Sequence, residues 1–460
     1  MHPAESGVDG GRWTVVLSPP PTPNGPLHLG HLAGPYVAAD IAARVLRDRG
    51  ARVLSVCGLD DHQNYVLAQA RHEGVPVRQL RDRYADLIRG VFAGVRVCHE
   101  EFTVPLDDSE YRGAVAGFLA ALVDSGAVSI REWTSPACAD CSGHLHHAYV
   151  SGGCAHCGAG SAGGTCEKCG SGTSAATLTE PTCTRCGRPA TTTATYTGPV
   201  LDLAAYRPWL LEFWCQATIP ATVRTMISAL LAKPLPVIPL SYPTDWGIEC
   251  PLVPGNRIDV WAEMALGYLY TVGQRLTPGV AGLPAHVAAW RSVGGLWTFL
   301  GLDNAFYYAV LFPAIYAAAG IAPDLPAGLV VNEFYRLSGA KFSTSRNHAV
   351  WAHEILRAEA PEDIRMFLSW DRPAPSPTNF TPESYRAAMV AWRETTTPAG
   401  QELAAAELAR AESALALRHF DLALATRCLL NADPAERARL LAAISGRVAV
   451  GSGAAHPGRD

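Results

Sequence analysis

Between Cys138 and Cys186 the chain carries eight of its thirteen cysteines, as four Cys-x2-Cys pairs: Cys138 with Cys141, Cys154 with Cys157, Cys166 with Cys169, and Cys183 with Cys186. The surrounding segment, Trp133 to about Pro189, is rich in Gly, Ser and Thr and poor in long aliphatic side chains. Such a segment has little apolar surface to bury, so another source of folding free energy is required. Each Cys-x2-Cys knuckle offers two thiolates, and two knuckles make a tetrahedral zinc site. Eight thiolates suit two zinc ions and leave no ligand position for water, which predicts structural metal. Spacing alone leaves open which knuckle shares an ion with which. The clustering argues against a redox Cys-x2-Cys, and His144, His146, His147 and His156 are further donors that the count does not require.

The other features bound the chain more loosely. Its 460 residues make about three domains at roughly 150 residues each. A net charge of −5 argues against a general nucleic-acid coating protein. No secretory signal precedes the five scattered cysteines, so a reducing cytoplasm is the expected compartment. The apolar run Ala305–Ala322 holds Pro313 and two adjacent tyrosines, and reads as a buried helix rather than a membrane span. Lysine occurs only at Lys168, Lys233 and Lys341.

On either side of the cysteine segment the pattern is α/β. Arg12–Ser18 reads as a buried strand, Pro19–Pro26 as a turn, and Leu29 to Leu46 as one helix stopped by Gly50. Ala51–Cys57 and Gln63–Glu73 repeat strand and helix, which predicts a parallel sheet with ligand loops at its carboxyl edge. Leu201–Leu231 reads as helical, Asp259–Gly267 opens a strand-then-helix signal, and Leu296–Gly320 another. Gly328–Leu337 reads as strand and loop, and the alanine-rich stretch up to Ser445 as about three helices.

Three clusters carry chemistry. In Pro23-Asn-Gly-Pro-Leu-His28-Leu-Gly30-His31, two imidazoles three apart share one face of a helix start, where backbone donors favour phosphate. Neutral imidazoles there can donate to phosphoryl oxygens. Gly58-Leu-Asp60-Asp61-His62 brings two carboxylates to the same sheet edge, where one can hold an ammonium group. Lys341, among small hydroxylic residues, can neutralise a leaving pyrophosphate. Taken singly, each cluster also reads as local capping, a turn-forming acidic pair or a surface lysine.

Together they resemble a known family. His28-Leu-Gly-His31 and Lys341-Phe-Ser-Thr-Ser345 are similar to the two signatures of class I aminoacyl-tRNA synthetases. Pro23-Asn24-Gly, Gly58-Leu-Asp60-Asp61-His62, the four knuckles, Asp259-Val-Trp261-Ala-Glu263 with Tyr268, and Phe299-Leu-Gly301-Leu-Asp303 with Phe312-Pro-Ala314 follow the order of the methionyl-tRNA synthetase family. The likeness runs over about residues 12–380. It implies a Rossmann-like parallel-sheet α/β catalytic domain split by a zinc-knuckle insertion and followed by a short α-helical domain. The implied boundaries are 1–130 and 191–330 for the two catalytic halves and 131–190 for the insertion. A mobile lysine loop with a stem-contact region takes 331–380, and a truncated helical domain with a disordered end takes 381–460.

The resemblance further implies ATP, Mg2+ and structural zinc, the middle two knuckles sharing one zinc and the outer two the other. His28, His31, Lys341, Thr344 and Arg346 would act on the phosphates. Asn24, Gly30, Gly301, Asp303, Ser343 and Ser345 would hold the nucleotide. Pro20, Thr22, Asp60, Trp261, Met264, Ala265, Tyr268 and Tyr308 would surround the amino acid. Several positions depart from the family. Thr22 replaces a tyrosine that closes over methionine, Tyr308 replaces a histidine, and Glu263-Met264-Ala265 stands for Asp-Ala-Pro. Leu302 and Thr344 each replace a lysine, and the stretch from Thr381 is short, neutral and poor in stacking aromatics.

The expected function is therefore ATP-dependent activation of an amino acid other than methionine. The acyl group would pass to a small molecule, a carrier protein or a tRNA acceptor end, in the manner of paralogues that serve specialised metabolism. The alternatives are a methionine–tRNA ligase with a reduced anticodon-binding domain and a catalytically silent regulator or scaffold. No membrane partner is expected, and a monomer is the expected state.

Overall fold

The computed structural model describes residues 11–141, 143–342, 348–394 and 401–447. Its centre is a parallel sheet of β1 (Trp13–Leu17), β2 (Arg52–Gly58), β3 (Glu101–Thr103), β4 (Val293–Gly301) and β5 (Ala327–Asn332), in the order β5-β4-β1-β2-β3. Side chains alternate across it. Val15, Leu17, Leu54 and Val56 enter one core, while Val16, Val53 and Cys57 enter the other. A sheet covered on both faces needs such continuous apolar strands. The chain moves outward from β1 to β2 and returns on the other side as β4, so the order reverses between β1 and β4. A crevice at the carboxyl ends of such a pair is the usual ligand site of open α/β sheets.

Two antiparallel legs, Ser129–Ala137 and Thr192–Asp202, carry the cysteine segment away from the sheet. The segment folds back onto it. The Thr165 hydroxyl donates to the Asp303 carbonyl, and His147 Nε2 lies 2.6 Å from an Asp259 carboxylate oxygen.

Several elements differ from the sequence reading. Leu29–Leu46 is not one helix: a short turn Leu29–His31 leads through the wide turn Leu32–Tyr36 into the helix Val37–Asp48. Pro35 lacks an amide hydrogen, and Gly34 leaves helical geometry at ψ −106°. Leu201–Leu231 begins as the end of a strand and then forms two helices, Arg207–Gln216 and Ala221–Leu231, parted before Pro220. Asp259–Gly267 holds no strand. Asp259 caps a helix, Val260–Leu276, its Oδ1 accepting the amides of Trp261 at 3.0 Å and Ala262 at 3.3 Å.

Among the described residues, no helix is long and apolar enough to cross a membrane. The last part of the chain forms the helices Pro382–Glu394, Gln401–Ala414, Leu422–Asn431 and Pro434–Ser445. They are joined to the sheet rather than separate from it. Leu429, Leu440 and Ile444 share a core with Ile41 and Phe367. The fully buried Arg365 pairs with Asp40 at 2.6 Å and donates to the carbonyls of Val95, Ala443 and Ile444. Most of the stretch expected to be disordered, Gly446–Asp460, lies outside the described residues.

Candidate active site

The first signature sits at the carboxyl end of β1. His28 caps the turn, and the two rings stack with centroids 3.7 Å apart. The amide of His28 donates to Nδ1 of His31 at 3.1 Å, and the amide of His31 donates to Nδ1 of His28 at 3.3 Å. With both Nδ1 atoms accepting, a neutral ring carries its proton on Nε2, so each imidazole offers an Nε2–H outward. Burial first, and then the charge of Lys341, keep both rings neutral: His28 is pushed down to about 2 and His31 to about 4. For His28 the neighbouring His31 adds to burial. Gly30 lies between them, where a Cβ would come within 3.0 Å of the His28 ring.

The second signature meets the first. Phe342 packs on His28 at 5.1 Å and stacks on Tyr335 at 5.5 Å, while the Leu29 amide donates to the Val350 carbonyl. His28 also forms an antiparallel bridge with Trp351. Lys341 Nζ stands 3.9 Å from the Phe334 ring centroid and pairs with Glu167 of the inner knuckle. Ser343, Thr344, Ser345 and Arg346 lie outside the described residues.

The end of β2 separates the two carboxylates. Asp61 is taken by Arg81, whose Nη2 and Nε lie 2.6 Å and 3.1 Å from one oxygen. Asp60 is different. Its Oδ2 accepts the Thr22 hydroxyl at 2.8 Å, whereas Oδ1 is buried without a protein partner. Burial pushes its carboxyl up to about 7, partly offset by the Thr22 hydrogen bond. The amide of Asp60 donates to the Pro21 carbonyl, and that of Asn24 to the Thr22 carbonyl at 2.9 Å, which fixes the loop after β1.

The pocket helix supplies the facing wall. Trp261 lies flat on Tyr307 with centroids 3.5 Å apart. Met264 and Tyr268 line a narrow cleft with Pro20 and Asp60, and Ala265 is fully buried behind them. Tyr308 is buried, its hydroxyl 2.9 Å from that of Tyr268. At the end of β4, Gly301 leads into the turn holding Asp303, whose carboxyl is pushed up by burial and drawn back down by Lys341. The sequence reading assigned no role to His62, Glu263, His147 or Glu167. His62 Nδ1 lies 2.8 Å from Glu263, tying the Asp60 loop to the pocket helix. His62 and Glu263 each stood inside a recognised motif, and His147 among the spare metal donors, but the contacts they make join segments far apart in the chain.

The cysteines form two groups, Cys138, Cys141, Cys183 and Cys186, and Cys154, Cys157, Cys166 and Cys169, each with all sulfurs within 4.8 Å. The middle two knuckles thus come together, as do the outer two, in the pairing that the resemblance implied. Sulfur separations of 3.6 Å (Cys138 to Cys186, and Cys157 to Cys166) and 3.9 Å (Cys154 to Cys169) fit a tetrahedron with Zn–S near 2.3 Å, whose edge is about 3.8 Å. The donor set is that of structural zinc.

A parallel sheet whose carboxyl-edge loops carry neutral imidazoles, a buried carboxylate and a lysine has the pattern of a nucleotide-binding α/β protein. The family model for tRNA synthetases class I (M) matches residues 14–389, and the chain belongs to that family. It is 32% identical over 387 residues to the methionine–tRNA ligase of Porphyromonas gingivalis, covering 82% of this chain and 55% of that one. It is 29% identical over 384 residues to the ligase of Pyrococcus furiosus, covering 80% and 52%. The chain thus spans about half the length of the curated relatives it matches. In fold it is similar to Mycobacterium tuberculosis methionyl-tRNA synthetase in complex with methionyl-adenylate, with a TM-score of 0.68, 18% identity, and 94% and 88% of the two chains covered.

Proposed function

We propose that this chain forms an aminoacyl-adenylate from ATP and an amino acid other than methionine. The observation that carries the chemistry is the unpartnered Asp60 Oδ1 on the loop after β2, beside a loop after β1 that presents the outward Nε2–H groups of His28 and His31. Asp60 receives the substrate ammonium. One oxygen of the substrate carboxylate attacks the α-phosphorus of ATP; the new P–O bond replaces the bond to pyrophosphate, which leaves. His28 and His31 donate to the phosphates, Asp303 holds the ribose, and Lys341 meets the departing pyrophosphate. Positioning and charge stabilisation suffice, without a covalent enzyme intermediate. Mg2+ accompanies ATP in chemistry of this kind.

The departures at Thr22 and Tyr308 support a changed amino acid. The acyl acceptor is a small molecule, a carrier protein or the acceptor end of tRNA. Aromatic groups near the chain's end are spent inside the fold: Phe420 packs edge-on against Phe299 at 5.2 Å, and the buried Tyr385 hydroxyl donates to Glu359. Phe420 and Tyr385 are thus engaged within the fold, and Trp392 is half-buried against the same core.

The test is amino-acid-dependent ATP–pyrophosphate exchange across the twenty standard amino acids, followed by acyl transfer to candidate acceptors. A second reading, methionine–tRNA ligase, is favoured by the function of the relatives. Exchange with methionine alone, followed by charging of whole tRNA, would establish it. Absence of exchange with every amino acid would leave a regulator or scaffold.

A further inference from the structure

We propose that Met264 closes the side-chain pocket of this chain, so that the amino acid it activates has a side chain of at most about two heavy atoms: glycine, alanine, serine or cysteine. This rests on the adenylation reading above.

The walls of the pocket touch one another instead of enclosing a gap. The Tyr308 hydroxyl donates to Met264 Sδ at 3.4 Å and lies 2.9 Å from the Tyr268 hydroxyl. Both phenol rings pack on Phe312, at 4.6 Å for Tyr308 and 6.1 Å for Tyr268. Met264, Tyr268 and Tyr308 are each at most 7% exposed. The one thioether in this cluster is therefore the chain's own, and it already holds the hydroxyl donor. A substrate thioether would have to displace it.

The space that remains beside Asp60 is narrow and of mixed character, with Pro20, Leu59, Val260 and Met264 among its walls. Thr103, Glu263 and Thr271 line it together with Asp60. Two of its polar atoms, Asp60 Oδ1 and Thr271 Oγ1, are buried without a partner. Its far side is filled by Tyr111, whose hydroxyl lies only 2.0 Å from where a Cβ at Gly267 would stand. With Met264, Tyr268 and Tyr308 in contact, an unbranched side chain of four heavy atoms has no room among them, and an apolar occupant would leave Thr271 Oγ1 buried and unpaired.

The experiment measures ATP–pyrophosphate exchange for the full chain and for Met264→Ala with glycine, alanine, serine, cysteine and methionine. In parallel, calorimetry compares glycyl-, alanyl-, seryl-, cysteinyl- and methionyl-sulfamoyl adenosine, which bind without reacting. For the unaltered chain, kcat/KM with at least one small amino acid should exceed that with methionine about 100-fold, on the scale by which apolar pockets discriminate. Met264→Ala should raise kcat/KM for methionine at least about 10-fold. Methionine used as well as the small amino acids, or no gain for methionine in a Met264→Ala protein still active with a small one, would overturn the closed pocket while leaving adenylation standing. Absence of exchange with every amino acid would defeat the adenylation reading, and the calorimetry would then decide. Tighter binding of a small analogue supports the closed pocket, and tighter binding of the methionyl analogue overturns it.

Discussion

Thr22 donates its hydroxyl to one oxygen of Asp60 at 2.8 Å and leaves the other oxygen buried and unpaired. The carboxylate is thus half satisfied by the protein, and the remaining oxygen is the position for a cationic group.

Asp60 in the free protein titrates at about 7, raised by burial. Binding an ammonium needs the ionised form, so KM for the amino acid should fall as pH rises towards 7 and then level off. Thr22→Val removes a bond that favours ionisation. The limb should move to higher pH, and KM at pH 7 should rise several-fold. The same raised pKa makes ionisation destabilising: the stability contribution is complete below about 4, the unfolded value, and is lost as pH rises through about 7. Melting temperatures should show Asp60→Asn gaining on the unaltered chain across that window; a constant difference would contradict the assignment.

His28 and His31 stay neutral far below physiological pH. The pyrophosphate-exchange profile should carry no limb from a protonated histidine above pH 5. Replacing His31 with Ala should lower kcat about 10²–10³-fold, the usual loss for one donor to developing charge. Circular dichroism would check that the variant folds, because the His31 side chain also accepts the His28 amide.

The middle knuckles touch the turn of Asp303, the residue proposed to hold the ribose, through the Thr165 hydroxyl, which donates to the Asp303 carbonyl. Elemental analysis should give about two zinc ions per chain. Cys166→Ser should lose one of them and raise KM for ATP about 5-fold, the equivalent of a hydrogen bond worth about 1 kcal/mol. Cys186→Ser, at the outer site, should lose one zinc with a smaller effect on ATP. Equal effects from both variants would show that the inner site has no special link to the nucleotide.

Arg365 and Asp40 are both almost fully buried. Removing one charge of such a pair costs about 3–5 kcal/mol when the other stays buried without compensation; Asp40 keeps the Arg44 guanidinium at 2.8 Å, so the loss here falls near the lower end of that range and includes the carbonyls of Val95, Ala443 and Ile444 left without this donor. Arg365→Met should therefore lower stability by about that amount in urea unfolding, although the residue lies outside the proposed crevice. A loss below about 1 kcal/mol would mean that Arg44 alone satisfies Asp40 and that the pair with Arg365 adds little.

How much of this was legible in the sequence depends on whether the interaction was local. The sheet, the histidine turn and the knuckles announce themselves through short-range patterns. The pocket helix shows a near miss: Trp261, Met264, Ala265 and Tyr268 follow the helical spacing i, i+3, i+4, i+7. A run containing Val260 and Trp261, bounded by Gly267, still reads as a strand. Asp259 decides the matter by capping the first turn. Likewise, Pro35 was visible inside the expected first helix, but the wide turn that accommodates it was not. Contacts such as His62 with Glu263 or Lys341 with Glu167 come only from the tertiary arrangement. The paired sulfurs needed coordinates as well, because loop lengths between knuckles permit more than one pairing.

The carbonyls that Arg365 takes from Ala443 and Ile444 also set a rule for building chimeras. A junction upstream of Ile444 would strip acceptors from the guanidinium that is buried against Asp40 of the helix Val37–Asp48, and the fusion would fail through the core rather than at the seam. A graft that adds another recognition module should therefore keep the helix Pro434–Ser445 whole and join beyond it.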